Sequence, residues 1–146
     1  IVGSCISITL WHPTLRIGGM CHYMLAGKQR DYNKTELDGR YAEDAILIFI
    51  KELLRTKTQP HEYQVKLFGG GDQFPLGRKS EKLSVPDNNI LAGKALLQKY
   101  GFKIQAEHIG GVGHRNIIFD LWNGHVWMRH VEQTLDLENE HVRKKN

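Results

Sequence analysis

Cysteine is scarce in this chain of 146 residues, which contains only Cys5 and Cys21. Two cysteines are too few for a disulfide framework, and a chain of this length does not need one. We therefore expect reduced thiols and a cytoplasmic protein. The C-x-x-C and H-x-x-x-H spacings that would complete a zinc site around Cys21-His22 are also missing, so we expect no metal.

Long apolar runs, internal repeats and low-complexity segments are absent as well. The longest apolar run, Ala45 to Ile50, ends at Lys51, far short of the roughly 18 residues that cross a bilayer. We expect no membrane insertion and a single domain over residues 1–131, followed by a charged tail over residues 132–146. The sequence has no start methionine, and Ile1 falls inside a strand pattern, so we expect the true N-terminus to be missing.

The net charge is +4 and the isoelectric point is near 9.1. Lysine and arginine are scattered without a basic run in the folded body, which favours a solvated surface over nucleic-acid binding. Attraction to an acidic protein partner is a third interpretation. Composition alone does not choose among the three, and we expect no nucleic-acid partner.

The hydrophobic periodicity predicts eight elements in the order strand, strand, helix, strand, helix and three strands. They lie at 2–10, 16–25, 40–56, 62–68, 89–100, 102–109, 115–120 and 125–131. Hairpins at both ends favour an α+β fold, a layered sandwich of mixed β-sheets with helices packed on one side. The long connection 26–39 is either a lid or a plain solvated loop, and residues 72–86, which include Pro75, Gly77 and Pro86, are expected to form a second irregular loop. Phe119, Trp122 and Trp127 are expected in the core of the last hairpin.

Cys5 and His22 form a candidate catalytic pair. A hairpin centred near residue 13 or 14 places them nearly opposite each other, and opposed residues have Cβ atoms about 4.5–5.5 Å apart. A paired imidazole activates a thiol as a nucleophile, and Gly3 lets a substrate approach the backbone. The alternative is ordinary: Cys5 is then a small buried apolar residue and His22 a hydrogen-bonded core histidine. Cys21 points to the other face and is expected to be buried.

Five blocks that surround these two residues resemble the chemoreceptor glutamine deamidase family CheD, in the family's order. They are Val2–Cys5, Gly18–Leu25, Arg40–Ala45, Lys66–Gly71 and Gly110-Gly111. The resemblance covers nearly the whole chain up to Val131. It implies a CheD-like cysteine hydrolase fold, with Cys5 as the nucleophile and His22 as the general base and acid.

The resemblance further implies that the protein converts specific glutamines of chemoreceptors to glutamates through a thioester, as a cytoplasmic hydrolase in chemotaxis signal transduction. It implies a reaction that needs no cofactor. Its partners would be the cytoplasmic domains of methyl-accepting chemotaxis proteins and a CheC-type phosphatase. Substrate contacts are expected at Gly3, Ser4, Gly70 and Gly111, although glycine pairs commonly make only tight turns.

The chain departs from the family pattern in several places. The family's catalytic hydroxyl residue would precede Ile1, so it is not assigned to any residue here. Gly71-Asp72-Gln73 and His114-Arg115 differ from the family's blocks, which affects the expected substrate contacts more than the pair. The alternative function is a non-catalytic regulatory module that binds a CheC-type phosphatase, and Cys5 with His22 favours the enzyme.

Overall fold

The computed structural model describes residues 1–27, 35–74 and 83–132. Within them the chain forms six strands and two helices, besides a single 3-10 turn at Pro60–Glu62. The strands are β1 (Ile6–His12), β2 (Ile17–Tyr23), β3 (Gln64–Gly69), β4 (Ile104–Ile109), β5 (His114–Phe119) and β6 (Val126–Val131). The helices are α1 (Ala42–Thr56) and α2 (Val85–Lys99).

The main sheet has four strands in the order β2-β1-β3-β4. Strand β1 is antiparallel to both neighbours, whereas β3 and β4 are parallel. Strands β5 and β6 form a separate antiparallel pair. The prediction of mixed sheets in an α+β sandwich is therefore confirmed.

Strand β1 is the central strand of the core, and all its residues are buried. Because side chains alternate across a strand, Ile6, Ile8 and Leu10 share one face, and they pack against residues of both helices. The residues between them face the other side, where β3 and β4 contact the β5–β6 pair. There Lys66 Nζ donates to the carbonyl of Gly124 at 3.3 Å, and the rings of His108 and His130 are 5.1 Å apart. The helices thus cover one side of the sheet and the small sheet covers part of the other.

The start of the chain differs from its prediction. Residues 2–10 were predicted as one strand, but β1 begins at Ile6. Val2 pairs instead with Arg115 of β5, through two backbone hydrogen bonds of 2.7 and 2.8 Å. The chain therefore crosses from the small sheet to the main sheet between these positions, and Gly3 and the glycines after β3 permit the bend.

Helix α2 begins four residues before its predicted start at Asn89. Ser84 is the N-cap, and the Ser84 and Asp87 side chains form a capping box. Pro86 lies in the first turn, where its missing N–H costs nothing. The prediction was wrong because it treated this proline as part of a loop.

The β5–β6 hairpin was predicted correctly, but its core was not. Gly124 adopts a φ of +76° in the turn that joins the strands. Trp122 and Trp127, expected in the hairpin core, are 79% and 66% exposed. Trp122 lies in the turn between the strands, and Trp127 lies on β6, in a two-stranded sheet that does not bury both of its faces. Phe119 is half-buried.

Parts of three predicted features lie outside the described residues: residues 28–34 of the 26–39 connection, residues 75–82 of the 72–86 loop and residues 133–146 of the tail. Each stays a prediction. In the part of the chain that the structure describes, no helix combines the length and the apolar character needed to cross a membrane.

Candidate active site

Cys5 lies immediately before β1 and is half-buried. The segment that carries it is held by three consecutive carbonyl groups. The carbonyls of Gly3 and Cys5 each accept a bond of 2.9 Å, from the N–H groups of Gly71 and Gly70 respectively. The carbonyl of Ser4 accepts from the side-chain amide of Asn89 at 3.0 Å. The backbone position of Cys5 is therefore fixed from two sides, by the end of β3 and by α2.

His22 lies on β2, directly opposite Ser7 rather than opposite Cys5. The predicted hairpin centre was too early. Strand β1 continues to His12, and Arg16, at a φ of +53°, donates its N–H to the carbonyl of His12 at 2.8 Å. The resulting register shift is two residues, which keeps side chains on the same face. Cys5 and His22 are thus diagonal across the strand pair, a relation in which Cα atoms are typically about 7–8 Å apart.

His22 is an exposed residue, but enough of its ring is desolvated for burial to lower the pKa of the imidazole below the usual 6.5. A lowered pKa keeps the ring neutral near pH 7. A neutral imidazole accepts a proton, as a general base must.

Cys21, next to His22 in the sequence, has its side chain on the other face of the sheet. It alternates with His22 along β2, so its side chain points to the helix side, where it packs against the core cluster. Burial of the thiol raises the pKa of Cys21 to about 12. A thiol with that pKa is almost entirely protonated at neutral pH and is a poor nucleophile. As a residue Cys21 is half-buried, as Cys5 is, but its thiol faces the core, on the side opposite His22, as predicted.

Glycines border the Cys5 segment where a side chain would not fit. Gly69 has a φ of +117°, and a Cβ there would lie 2.2 Å from the carbonyl oxygen of Cys5. A Cβ on Gly70, whose φ is +66°, would lie 2.5 Å from Ile90. A Cβ on Gly3 would lie 3.0 Å from Cδ of Gln73. These glycines let the end of β3 approach the segment closely.

Gly111 is farther out. It is exposed, has a φ of +68°, and would leave an added Cβ in open space. Its carbonyl accepts the N–H of Asp72 at 2.8 Å, which ties the loop after β4 to the loop after β3. Of the four predicted substrate contacts, Gly3, Ser4 and Gly70 thus adjoin Cys5, whereas Gly111 forms part of an outer turn. A role in substrate binding remains a prediction for all four.

Two buried polar residues near this segment were not predicted. Asn89 is completely buried in α2, and Arg115 is 1% exposed in β5. The Arg115 guanidinium donates to His108 Nδ1 at 3.1 Å and to the carbonyl of Gly110. The sequence gives no clear signal for Asn89, because an asparagine that follows Asp87 and Asn88 near the start of a helix is typical of an ordinary cap.

The surface around His22 is open. Met20 and Met24, two residues to either side along the chain, are 52% and 51% exposed. A cavity of about 380 Å³ lies elsewhere, lined by residues that include Trp11, Lys66 and Trp122 but neither Cys5 nor His22. The candidate pair is therefore set on an accessible face, which suits a large substrate better than a small enclosed one.

Comparison with known proteins decides the family. The family model described as "CheD chemotactic sensory transduction" matches residues 24–130. The chain belongs to the CheD family. The resemblance predicted from five sequence blocks is therefore confirmed.

Individual CheD relatives match over more of the chain. The "Probable chemoreceptor glutamine deamidase CheD" of Pseudomonas savastanoi pv. phaseolicola is 49% identical over 147 residues, covering 100% of this chain and 81% of that protein. The protein of the same name from Pseudomonas syringae pv. syringae is 48% identical with the same coverage. The CheD 3 protein of Dechloromonas aromatica is 43% identical, covering 88% of this chain and 74% of its own. Cys5 and His22 precede the family-model match, but they fall within the first two of these full-chain similarities.

Proposed function

We propose that this protein deamidates specific glutamine side chains of chemoreceptors to glutamates in bacterial chemotaxis, with Cys5 as nucleophile and His22 as general base and acid. The main support is the full-chain similarity to proteins named as probable chemoreceptor glutamine deamidases. The separation of the two thiols supports the choice of Cys5. Only Cys5 adjoins the face that carries His22, since Cys21 is packed into the core.

The reaction proceeds in two halves. His22 takes the thiol proton of Cys5 while the sulfur attacks the amide carbon of a glutamine side chain. The tetrahedral intermediate collapses as the imidazolium of His22 protonates the leaving nitrogen, which departs as ammonia and leaves a thioester on Cys5. His22 then takes a proton from water, whose oxygen attacks the thioester and releases glutamate and the Cys5 thiol.

The backbone of the Cys5 segment supplies donors for the oxyanion. The carbonyls of Gly3, Ser4 and Cys5 are all engaged. Among the described residues, by contrast, the N–H groups of Ser4 and Cys5 have no hydrogen-bond acceptor. Free N–H groups next to a nucleophile stabilise the negative charge that develops on the substrate oxygen.

A protein substrate fits the open face better than free glutamine does. Methionine is flexible and polarizable, so Met20 and Met24 can adapt to the apolar side chains of a folded partner. Because the cytoplasmic domain of a receptor would present the substrate glutamines, we propose that the reaction takes place in the cytoplasm. We propose that a CheC-type phosphatase docks on this same face and competes with receptor.

Deamidation is tested with the full-length protein and a purified receptor signalling domain. Mass spectrometry of receptor peptides should show the gain in peptide mass that accompanies conversion of a glutamine amide to a carboxylate. Cys5→Ala is expected to lower the rate by at least about a thousandfold. Cys21→Ala, the matched control, should retain most of the activity. Deamidation that persists in Cys5→Ala would show that the assigned nucleophile is wrong.

Partner docking is tested by competition. A CheC-type phosphatase should inhibit receptor deamidation by wild type, and Met20→Lys should weaken that inhibition because it introduces a charge into the contact. Phosphatase binding that leaves the deamidation rate unchanged would contradict a shared face.

A further inference from the structure

Asn89 of α2 joins the two chain segments that carry Cys5 and His22. Its side-chain nitrogen donates to the carbonyl of Ser4 at 3.0 Å and to the carbonyl of Met24 at 2.8 Å. Ser4 immediately precedes Cys5, and Met24 follows His22 by two residues. A single amide group thus holds both sides of the candidate pair.

The two hydrogen bonds from Asn89 lie just beyond the end of the β1–β2 pairing. The last paired residues of β1 and β2 are Ile6 and Tyr23, so the register extended by one step would place Cys5 opposite Met24. Within the described part of the chain, backbone pairing between the two strands does not continue beyond that point. The amide nitrogen of Asn89 replaces it, since it binds one carbonyl from each segment.

The orientation of the Asn89 amide follows from its partners. Both groups that it contacts are carbonyl oxygens, which accept hydrogen bonds and cannot donate them. The nitrogen must therefore face them, and a flipped amide would place three oxygens together. The amide oxygen is buried without a hydrogen-bond partner in the described part of the chain, so the side chain is held by its donor contacts alone.

The helix is fixed against the same strand by a second contact. The Tyr23 hydroxyl donates to the backbone carbonyl of Asn89 at 2.5 Å. Gly93, one turn later, leaves room for that hydroxyl, because an added Cβ would lie 2.4 Å from it. The backbone of Asn89 is therefore anchored on β2 next to His22, and its side chain reaches across to Ser4.

We propose that Asn89 is the positioning residue of the active site, which sets the separation of Cys5 and His22 by clamping Ser4 to Met24. The proposal rests on the assignment of these two residues as the catalytic pair. Asn89 does not touch the reacting atoms. It acts through the backbone, and a displacement of about 1 Å between reacting groups can lower a rate roughly a hundredfold.

The test removes the side-chain N–H donor of Asn89 with two variants, one of which keeps the shape of the side chain. Asn89→Asp is isosteric but presents a carboxylate oxygen to two carbonyls, and Asn89→Ala removes the side chain. In both, kcat for receptor deamidation is expected to fall by about 10- to 100-fold, while KM changes by less than about threefold. Asn88→Asp, which makes the same change at the exposed neighbouring position, should retain the kcat of wild type.

Amide exchange in the wild-type protein provides a measurement that does not depend on variant folding or on activity. The side-chain N–H protons of Asn89 should exchange slowly with solvent, and their NMR signal should shift when Cys5 is alkylated. A freely exchanging amide that does not respond would overturn the proposal, as would a folded Asn89→Ala protein with the kcat of wild type. A wild-type protein without deamidase activity would contradict the proposed function instead. The amide exchange of Asn89 would then decide by itself whether Asn89 clamps Ser4 to Met24.

Discussion

At the scale of single residues, neighbouring positions on one strand have opposite chemistry. Cys21 and His22 are adjacent in sequence, but alternation sends the thiol to the core and the imidazole to the open face. Burial raises the pKa of the Cys21 thiol, which therefore stays protonated. Burial lowers the pKa of the His22 imidazole, which therefore stays neutral. The face of a strand, rather than residue type, therefore decides which thiol can react.

The two thiols should differ in alkylation by iodoacetamide. Because burial raises the pKa of Cys21 to about 12, only about one Cys21 in ten thousand is a thiolate at about pH 8. Peptide mapping after brief treatment of the folded protein should show Cys5 modified and Cys21 unmodified. Unfolding in denaturant provides the control, because both should then react. Equal labelling in the folded state would contradict the assigned burial.

The activity of the enzyme should decline on the acid side with a midpoint below pH 6.5, the usual imidazole value. Burial lowers the pKa of His22, so the base is protonated only in more acidic solution. Below pH 6.5 the unfolded chain binds the proton more readily than the folded one does, so acidification also lowers the free energy of unfolding.

The measurement is the pH profile of kcat/KM, with Cys21→Ala as a control that should keep the same acid limb. A midpoint above 6.5 would show instead that a thiolate–imidazolium pair dominates the resting enzyme.

At the scale of elements, helix α2 positions polar groups against the sheet through a narrow face. Asn89, Gly93 and Leu97 recur every four residues and are all buried. Position 93 requires glycine because the Tyr23 hydroxyl occupies the space that a Cβ would need, although glycine has a low helix propensity.

Gly93→Ala should therefore destabilise the protein, although the same change within a helix ordinarily stabilises it by about 0.5–1 kcal/mol. The added methyl would clash with the Tyr23 hydroxyl, and Tyr23→Phe in the same chain should recover part of the loss. Chemical denaturation gives the free energies. Ala95→Gly, at an exposed site on the same helix, should show the ordinary propensity effect alone. A stabilised Gly93→Ala variant would mean that the helix sits farther from β2.

The sequence predicted the elements themselves but not all of their contacts. Periodicity located α1 and the hairpins, since it depends on side chains close together in the chain. The register of β1 on β2 was missed by two residues because it depends on the conformation of Arg16 in the turn. Asn89 was missed because its partners, Ser4 and Met24, are 85 and 65 residues away. Trp127 was misplaced because composition does not reveal which sheet face stays uncovered, and Trp122 because it belongs to the turn rather than to a strand.

At the scale of the whole molecule, Arg115 connects the small sheet to the rest. Its backbone pairs with Val2, and its guanidinium contacts His108 and Gly110 beyond β5. Burial lowers the pKa of this guanidinium, and one of its nitrogens has no partner within the described residues. The residue is an internal polar link between layers rather than a surface cation.

Arg115→Ala should lower the free energy of unfolding by about 2–4 kcal/mol, because it leaves a cavity and two acceptors without their donor. Arg129→Ala, at an exposed position on β6, should change it by less than about 0.5 kcal/mol. Urea denaturation followed by tryptophan fluorescence measures both. An Arg115→Ala protein as stable as wild type would show that the small sheet docks without this link.

The bonding of residues 2–5 has a consequence for heat inactivation. Successive backbone groups of this short stretch attach to β5, to the end of β3 and to α2, so each architectural layer supplies a tether for the reactive sulfur. Local unfolding of β5, of the end of β3 or of α2 should therefore displace Cys5 and abolish activity. Catalytic loss on warming should hence track the cooperative melting transition seen by circular dichroism, rather than precede it as it does in enzymes whose reactive groups sit on pliant surface loops.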